Sequence, residues 1–453
     1  MKKENLNITE IGESIVKTAG KYNCESQVTI FEEKSKEIKV RKGEIEQLLT
    51  YTALSTGVRL FSGRKSTIIS FSGQNFENMD AKIAKALEDM TYLEDDEAKR
   101  LLNIDEIGGE PDQMELDDGA FDSIDSGEAA ETLKKIEKRG LAFSPKIIPS
   151  EMAEFSATGS KVSLFSSPGL QKTYSKSYYS FYYSAVAEDK EAGIKEVDAY
   201  SEGKRFFSDL PELERIGDVA AERALKKLGG RKIESGEKKV IFSFRTAPSI
   251  IDLLGDALVG EEVLLRNSFL VDKLGEKLFP DNITIEDNPL LGRYPGSYPC
   301  DGEGMNGRNK LVIEKGKLLT YLHNSYSASK LKLELTGNAS LPLSGAPGIK
   351  CGNFFLKSGQ GGLDDLLKEM GDGLLVEELF LSGMNPVTGD FSFGCSGFKV
   401  EKGVAAFPVK EITIAGNLLE LFKNISVIAD DNRWKSSVTS PSFLVSKLAV
   451  AGT

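Results

Sequence analysis

Few side chains in this chain are suited by type to catalysis. There is one histidine, His323, in Leu319-Thr-Tyr-Leu-His-Asn-Ser-Tyr326, and there are four widely spaced cysteines, Cys24, Cys300, Cys351 and Cys395. A catalytic zinc usually takes two or three imidazoles, so the chain by itself lacks the ligands for one. With no Cys-x-x-Cys pair, the thiols indicate neither a disulfide framework nor a cysteine-only zinc site, and they read as reduced thiols of a cytosolic protein. His323 reads as a strand or loop residue near a surface, and Cys395 has no adjacent base that would activate it as a nucleophile. The carboxylates offer more. Asp252 and Asp256 lie four apart on one helical face and, with Glu261 or Glu262, have the ligand types for a hard cation, although two carboxylates early in a helix also suit its dipole. Asp301 and Glu303 bracket a glycine in Asp301-Gly-Glu-Gly304, an arrangement that fits backbone fixing better than acid-base work. Asp390 and Ser392 are placed to bond neighbouring amides in Thr388-Gly-Asp-Phe-Ser392.

The element that must position Asp252 and Asp256 is Pro248-Ser-Ile-Ile-Asp-Leu-Leu-Gly-Asp-Ala-Leu-Val-Gly-Glu-Glu262. Ile250, Ile251, Leu253, Leu254, Ala257 and Leu258 recur at spacings of three and four, which predicts one helix with a buried stripe and Pro248 in its first turn. Gly255 and Gly260 interrupt it. Each costs about 1 kcal/mol against alanine in a helix interior, so the expectation is a neighbour pressing close or a need for open space.

The 453 residues suit two to three domains, and the formal charge of −12, from 69 acidic and 57 basic residues, argues against nucleic acid or an anionic membrane as the main partner. No apolar run is long enough to span a bilayer and the Met-Lys-Lys start is not followed by a hydrophobic segment, so a cytoplasmic protein is expected.

Along the chain, residues 8–22 predict an amphipathic helix, followed by strands at 27–32, 37–41, 45–53, 55–61 and 66–72 and a helix at 78–93. Residues 94–126 are acidic and poor in aromatics and read as a solvated linker. Tyr174-Ser-Lys-Ser-Tyr-Tyr-Ser-Phe-Tyr-Tyr183 reads as a long antiparallel strand showing one aromatic face, with a peptide-stacking platform as the other possibility. Beyond residue 236 short strands and glycine turns dominate. The expected fold is α+β: an N-terminal domain over 1–229 with a helix-flanked antiparallel sheet, and a C-terminal domain over 230–453 with a strongly bent, barrel-like sheet and inserted helices.

Several stretches together resemble the TldD/PmbA family, whose members were once called modulators of DNA gyrase and are understood as a two-subunit peptidase system. They are Asp301-Gly-Glu-Gly304, Thr336-Gly-Asn-Ala339, Asn385-Pro-Val-Thr-Gly-Asp-Phe-Ser392, Pro408-Val-Lys-Glu-Ile-Thr-Ile-Ala-Gly-Asn417 and Pro441-Ser-Phe-Leu-Val445. In the TldD-like branch the helix equivalent to 248–262 carries His-Glu-x-x-x-His, and a late-loop cysteine completes the zinc ligands. The resemblance sets Gly255 and Gly260 at the histidines and Asp256 at the glutamate. The corresponding late loop, residues 430–440, has no cysteine, as in the PmbA (TldE) branch.

The resemblance therefore implies a chain with no catalytic residues or cofactor of its own. It would form part of a cavity and hold unfolded peptide for a TldD-like, zinc-bearing partner, with Gly255, Gly260, Asp301, Glu303, Asp390 and Ser392 as candidate groove residues and the peptide taken as an added β-strand. Two alternatives stay open at this point: a stand-alone hydrolase using Asp252, Asp256 and Glu262, and a non-enzymatic binding homodimer.

Overall fold

The computed structural model describes residues 7–73, 76, 78–149 and 152–452. The N-terminal half runs α1 (Ile8–Gly20), β1 (Glu25–Arg41), β2 (Glu44–Ser62), β3 (Lys65–Ser72), α2 (Met79–Met90), α3 (Ile104–Ile107), α4 (Ser126–Ala142), β4 (Ile147–Ile148), β5 (Ala153–Ser166), β6 (Gln171–Asp189), β7 (Ile194–Lys204) and α5 (Arg215–Lys227). The C-terminal half continues with β8 (Gly236–Phe242), α6 (Ala247–Ala257), α7 (Gly260–Leu264), β9 (Ile285–Asp287), β10 (Lys310–Glu314), β11 (Lys317–Leu318), α8 (Ser325–Leu331), β12 (Phe354–Leu356) and α9 (Leu363–Met370). It ends with β13 (Gly373–Phe380), β14 (Asp390–Glu401), β15 (Val404–Asn417), α10 (Leu418–Lys423), β16 (Ile425–Ile428), β17 (Val438–Thr439) and β18 (Phe443–Ala451). The α+β class holds, with its barrel in the second half.

The N-terminal sheet has the order β3-β2-β1-β5-β6-β4, with β7 also on β6, and its pairings are antiparallel. One face takes the helices on alternating apolar residues: Val28 and Ile30 meet α1 and α2, while Ile38, Phe155, Tyr179, Phe181 and Tyr183 lie beneath α4 and α5. The expected five short strands before α2 are three. The polar run Glu32–Lys36 does not turn but continues β1, because it is paired on both sides, by β2 and β5. Its charges project off the sheet, where Lys36 donates to the carbonyls of Phe121 and Ile124 and Lys34 meets Asp122. The turns were legible: Lys42 and Gly43 both take positive φ, as a tight hairpin between right-twisted strands requires.

The reading of 94–126 as a solvated linker is corrected. Leu102, Ile107, Leu116 and Phe121 are buried, and several acidic groups are bonded: Glu106 to Arg100, Glu115 to Arg293, and Asp118 to Tyr179 and the Phe207 amide. The segment is a strap across the sheet. Composition misleads here because the carboxylates serve as bonding groups rather than as a solvated face.

In the C-terminal half β8, β13, β14, β15 and β18 pair in sequence, and β15 pairs back onto β18, closing a five-stranded barrel with β16 outside it. A second sheet, β11-β10-β9-β12-β17, stands beside it, and α6 is packed between the two, with Ile250, Ile251 and Leu254 in the main core alongside Phe242, Ile285 and Phe354. The halves interlock. Gly57 has Pro342 against its backbone, so closely that a β-carbon there would lie 2.0 Å from the Pro342 carbonyl oxygen. Gln27 donates to the Gly302 carbonyl, and Arg59 pairs with Glu303. No helix among the described residues is long and apolar enough to cross a membrane.

Candidate functional site: a cavity between α6 and strand β6

The sequence predicts one helix over 248–262, but α6 stops at Ala257. Leu258 bonds back to Gly255, the chain extends at Val259 to bridge Leu322, and α7 starts afresh at Gly260, whose N–H donates to the Leu322 carbonyl. The two glycines therefore have different surroundings. A β-carbon at Gly260 would lie 2.2 Å from Nδ1 of His323, so that position is filled by a neighbouring ring and offers no groove. At Gly255 the nearest atoms to such a carbon are Phe354 at 3.3 Å and Sγ of Cys351 at 3.6 Å, and Gly255 borders a cavity of ≈400 Å³.

His323 is buried, not near a surface. Its Nδ1 is 3.1 Å from Oγ of Ser327 and its Nε2 has no partner among the described residues. Burial without a charged partner pushes the imidazole down to about 4, so it is neutral at physiological pH. Cys395 is buried on β14 and burial lifts its thiol to about 12, which rules it out as a ready nucleophile.

Asp252 and Asp256 face the cavity, where water reaches them although protein surrounds them. Burial pushes both carboxyls up, and for Asp256 the charges of Asp252 and Glu262 add to it. Glu262 does not complete a cation site with them: it sits on α7 beyond the break and accepts from Nδ2 of Asn267. Among the described residues no three His, Cys, Asp or Glu side chains converge as a metal-ligand set. The donors present do not fit a zinc ion.

Other candidate positions lie elsewhere. Asp301 and Glu303 are buried and fix backbone: Asp301 accepts from the amides of Glu303, Met305 and Ala339, and Glu303 accepts from Arg59 and from the amide and hydroxyl of Ser325. Burial and the Glu303 charge push Asp301 up to about 7 against the pull of those amides. Asp390, exposed at the start of β14, accepts from Thr388 and Asn417, and neither it nor Ser392 borders the cavities around α6. Asp301, Glu303 and Asp390 order turns, Asp390 through the Thr388 hydroxyl and the Asn417 side chain rather than through the neighbouring backbone amides expected for it and Ser392.

The late loop does meet α6. Ser437 and Val438 border the same cavity as Gly255 and Asp256. The loop is pinned by Asp431, which accepts from the amide and hydroxyl of Ser442, and by Trp434, which packs edge-on against Tyr294 and Phe355. Arg433, Trp434 and Lys435 wall an adjoining cavity of ≈700 Å³, which shares Arg205 and Pro295 with the first. A further cavity of ≈380 Å³ reaches Pro248 and Ser249 at the start of α6, so these spaces form a run along the helix and loop.

The opposite wall is the strand that the sequence offers as one aromatic face or as a peptide-stacking platform, and the residues turned to the groove are those of its second face. Residues 174, 176, 178 and 182 of β6 alternate with the core-facing aromatics and turn Tyr174, Lys176, Tyr178 and Tyr182 toward these cavities. The serine-aromatic alternation carried that signal, since one aromatic face implies a second face with its own residues. Lys350 and Arg205 complete the wall from loops, and no local pattern announces them.

An added β-strand finds its natural edge occupied. Along β7, the edge of the N-terminal sheet at this groove, the carbonyls of Val197, Ala199 and Ser201 already accept from Lys227, Arg223 and Lys435.

Comparison with known proteins agrees with this architecture. Residues 235–452 match the PmbA/TldA metallopeptidase C-terminal domain and residues 119–228 the PmbA/TldA metallopeptidase central domain. The chain is 32% identical over 439 residues to a metalloprotease PmbA homolog of Haemophilus influenzae, covering 96% of this chain and 94% of that one. It is 31% identical over 417 residues to metalloprotease PmbA of Escherichia coli O157:H7, covering 92% and 89%. A Thermotoga maritima crystal structure described as a modulator of a DNA gyrase superposes with TM-score 0.88 at 26% identity, covering 98% of this chain and all (100%) of that one. TldE from Thermococcus kodakarensis has the same fold, with TM-score 0.86 at 20% identity, covering 97% and 99%. With full-length similarity on both counts, this chain belongs to the PmbA/TldD metallopeptidase family.

Proposed function

We propose that this protein is the PmbA (TldE)-type subunit of a two-subunit cytoplasmic peptidase, in which a TldD-like partner supplies zinc and the water-activating glutamate. This chain supplies part of the enclosing cavity and holds unfolded peptide in it. The observation that carries the reading is the wall where α6 meets the late loop. Gly255 has no side chain to offer, Gly260 is packed under His323, and residues 430–440 contain no thiol. What the wall offers is room and polar groups, which suits binding rather than bond cleavage.

With the β7 carbonyls occupied, peptide is held chiefly by side chains along the groove, among them Tyr174, Tyr178 and Tyr182, with planar faces that accept many sequences. The test is cleavage of an unfolded peptide by this chain, by a TldD-like protein, and by the two mixed, together with co-purification. The expected result is chelator-sensitive cleavage that needs both subunits. Stoichiometric bound metal with chelator-sensitive cleavage by this chain alone would overturn the proposal.

A further inference from the structure

The cavity beside Gly255 contains three cationic side chains with no carboxylate partner among the described residues. Arg205 is 4% exposed and its guanidinium donates only to carbonyls, those of Tyr294 at 2.7 Å, Pro295 at 2.6 Å, Ser297 at 3.3 Å and Ser177 at 3.5 Å. Lys350 has its ammonium 5.1 Å from the ring centroid of Tyr298 and, among the described residues, no hydrogen bond or ion pair. Lys176 likewise has neither; Glu33 and Asp301 act on Lys176 and Lys350 only through space.

The same strand shows what a satisfied buried lysine looks like. Lys172, four residues earlier on β6 and on the same face, donates to the carbonyls of Ile107 and Gly304 and to Oδ1 of Asn306. Other buried cations are paired as well, Arg59 with Glu303, Lys310 with Asp287, and Arg245 with Asp198 and Glu377. Partly buried charges left without a counter-ion are costly, and mutual repulsion adds to the cost. Burial and the charges of Lys350 and Arg205 accordingly lower Lys176 to about 8. For the two lysines Glu33 and Asp301 offset that cost only through space, and a bound anion would offset it by direct contact.

The geometry points to an oxyanion site formed by Lys176, Lys350 and Arg205, whose ligand is the C-terminal carboxylate of a peptide lying in the groove. Asp252 and Asp256, also without partners among the described residues, line the other side of this space and repel a carboxylate from that end, which fixes the peptide's direction. At ≈400 Å³ the cavity has room for a terminal residue and little more, while the adjoining cavities at Arg205 accommodate the preceding chain. This assignment rests on the peptide-holding role proposed above and adds a polarity to it.

The experiment measures binding of a fluorescent unstructured hexapeptide to the full chain, as the free acid and as the C-terminal amide, with inorganic phosphate as a competitor. The free acid should bind about 10-fold or more tightly than the amide, as expected for a charge-assisted contact. Lys176→Gln and Lys350→Gln should each erase most of that preference. Equal affinity for acid and amide would overturn the assignment, as would phosphate displacing the acid with an affinity equal to the peptide's own, which would mark a free-anion site. Acid preference without partner-dependent cleavage would retain this site and remove the two-subunit role; partner-dependent cleavage with no acid preference would do the reverse.

Discussion

Two of the charge-lined cavities treat charge in opposite ways. The larger, ≈690 Å³, lies between α5 and the barrel, and most of its cations are neutralised in place: Arg245 by Asp198 and Glu377, Lys227 by Asp198 and Glu378, Lys226 by Glu222 and Lys410 by Glu196, while Arg223 donates to the Ala199 carbonyl and lies over the Tyr200 ring. The smaller, beside α6, has its cations and its carboxylates on separate walls with no ion pair between them. Closed ion networks join elements; here they tie β7 and α5 to the β8–α6 turn, β13 and β15. Charges of both signs held apart across an open space have no such structural use and leave their interaction energy available to a ligand. Size and apolar lining would favour the first cavity as a binding site, but most of its charges are already paired, so the second is the better candidate.

The contrast is broken or sharpened most strongly at Asp198, which is buried at the centre of the first network. Asp198→Ala leaves Arg245 and Lys227 without their shared partner and should lower unfolding stability by about 3–5 kcal/mol, read from denaturant midpoints. Removing charge from the second cavity should do the opposite. Lys350→Gln and Lys176→Gln should leave the unfolding midpoint unchanged or raise it, because each deletes an unpaired cation; a loss as large as that at Asp198 would show that these lysines are structural.

The two glycines differ in a similar way. Gly260→Ala drives a methyl into His323 and should cost about 1–3 kcal/mol, measured by thermal unfolding. Gly255→Ala meets only a slight crowding at Phe354 in a helical position and should be near neutral, within about 1 kcal/mol.

A smaller effect concerns pH. His323 has its folded value lowered to about 4 while the unfolded chain titrates near 6.5, so between these values the unfolded state binds more protons. Its contribution is complete above pH 6.5 and is lost as pH falls toward 4. The difference in stability between the wild type and His323→Asn should shrink over that window, and a constant difference would mean that the ring is not held neutral. Smallest of all, Asp252→Asn should change stability by less than about 0.5 kcal/mol, since no bond is lost.

How much of this was legible in advance depended on how local the cause was. The hairpin turns, the apolar stripe of α6 and the aromatic face of β6 follow from φ preferences and from periods of 3.6 and 2, which a short window contains. The break at Leu258–Val259 was not legible, because the periodicity continues through it and the cause is a bridge to Leu322, more than sixty residues away by number. The strap over 94–126 failed for a similar reason: its acidic residues find partners such as Arg293 and Tyr179 only after folding.

The candidate site divides along the same line. By itself the sequence determined which donors are missing, since a chain with one histidine cannot hide others and a loop without cysteine has no thiolate to offer. It also determined the family, through turns and strands whose residue types are constrained one by one. Only the tertiary structure decided that Gly260 is filled by His323 while Gly255 opens on a cavity, and that Lys176, Arg205 and Lys350, spread over 175 positions of the chain, share one wall. The reason is physical: residue identity fixes what a group can bond, but whether a charge is paired, buried or left facing empty space depends on what the folded chain places next to it.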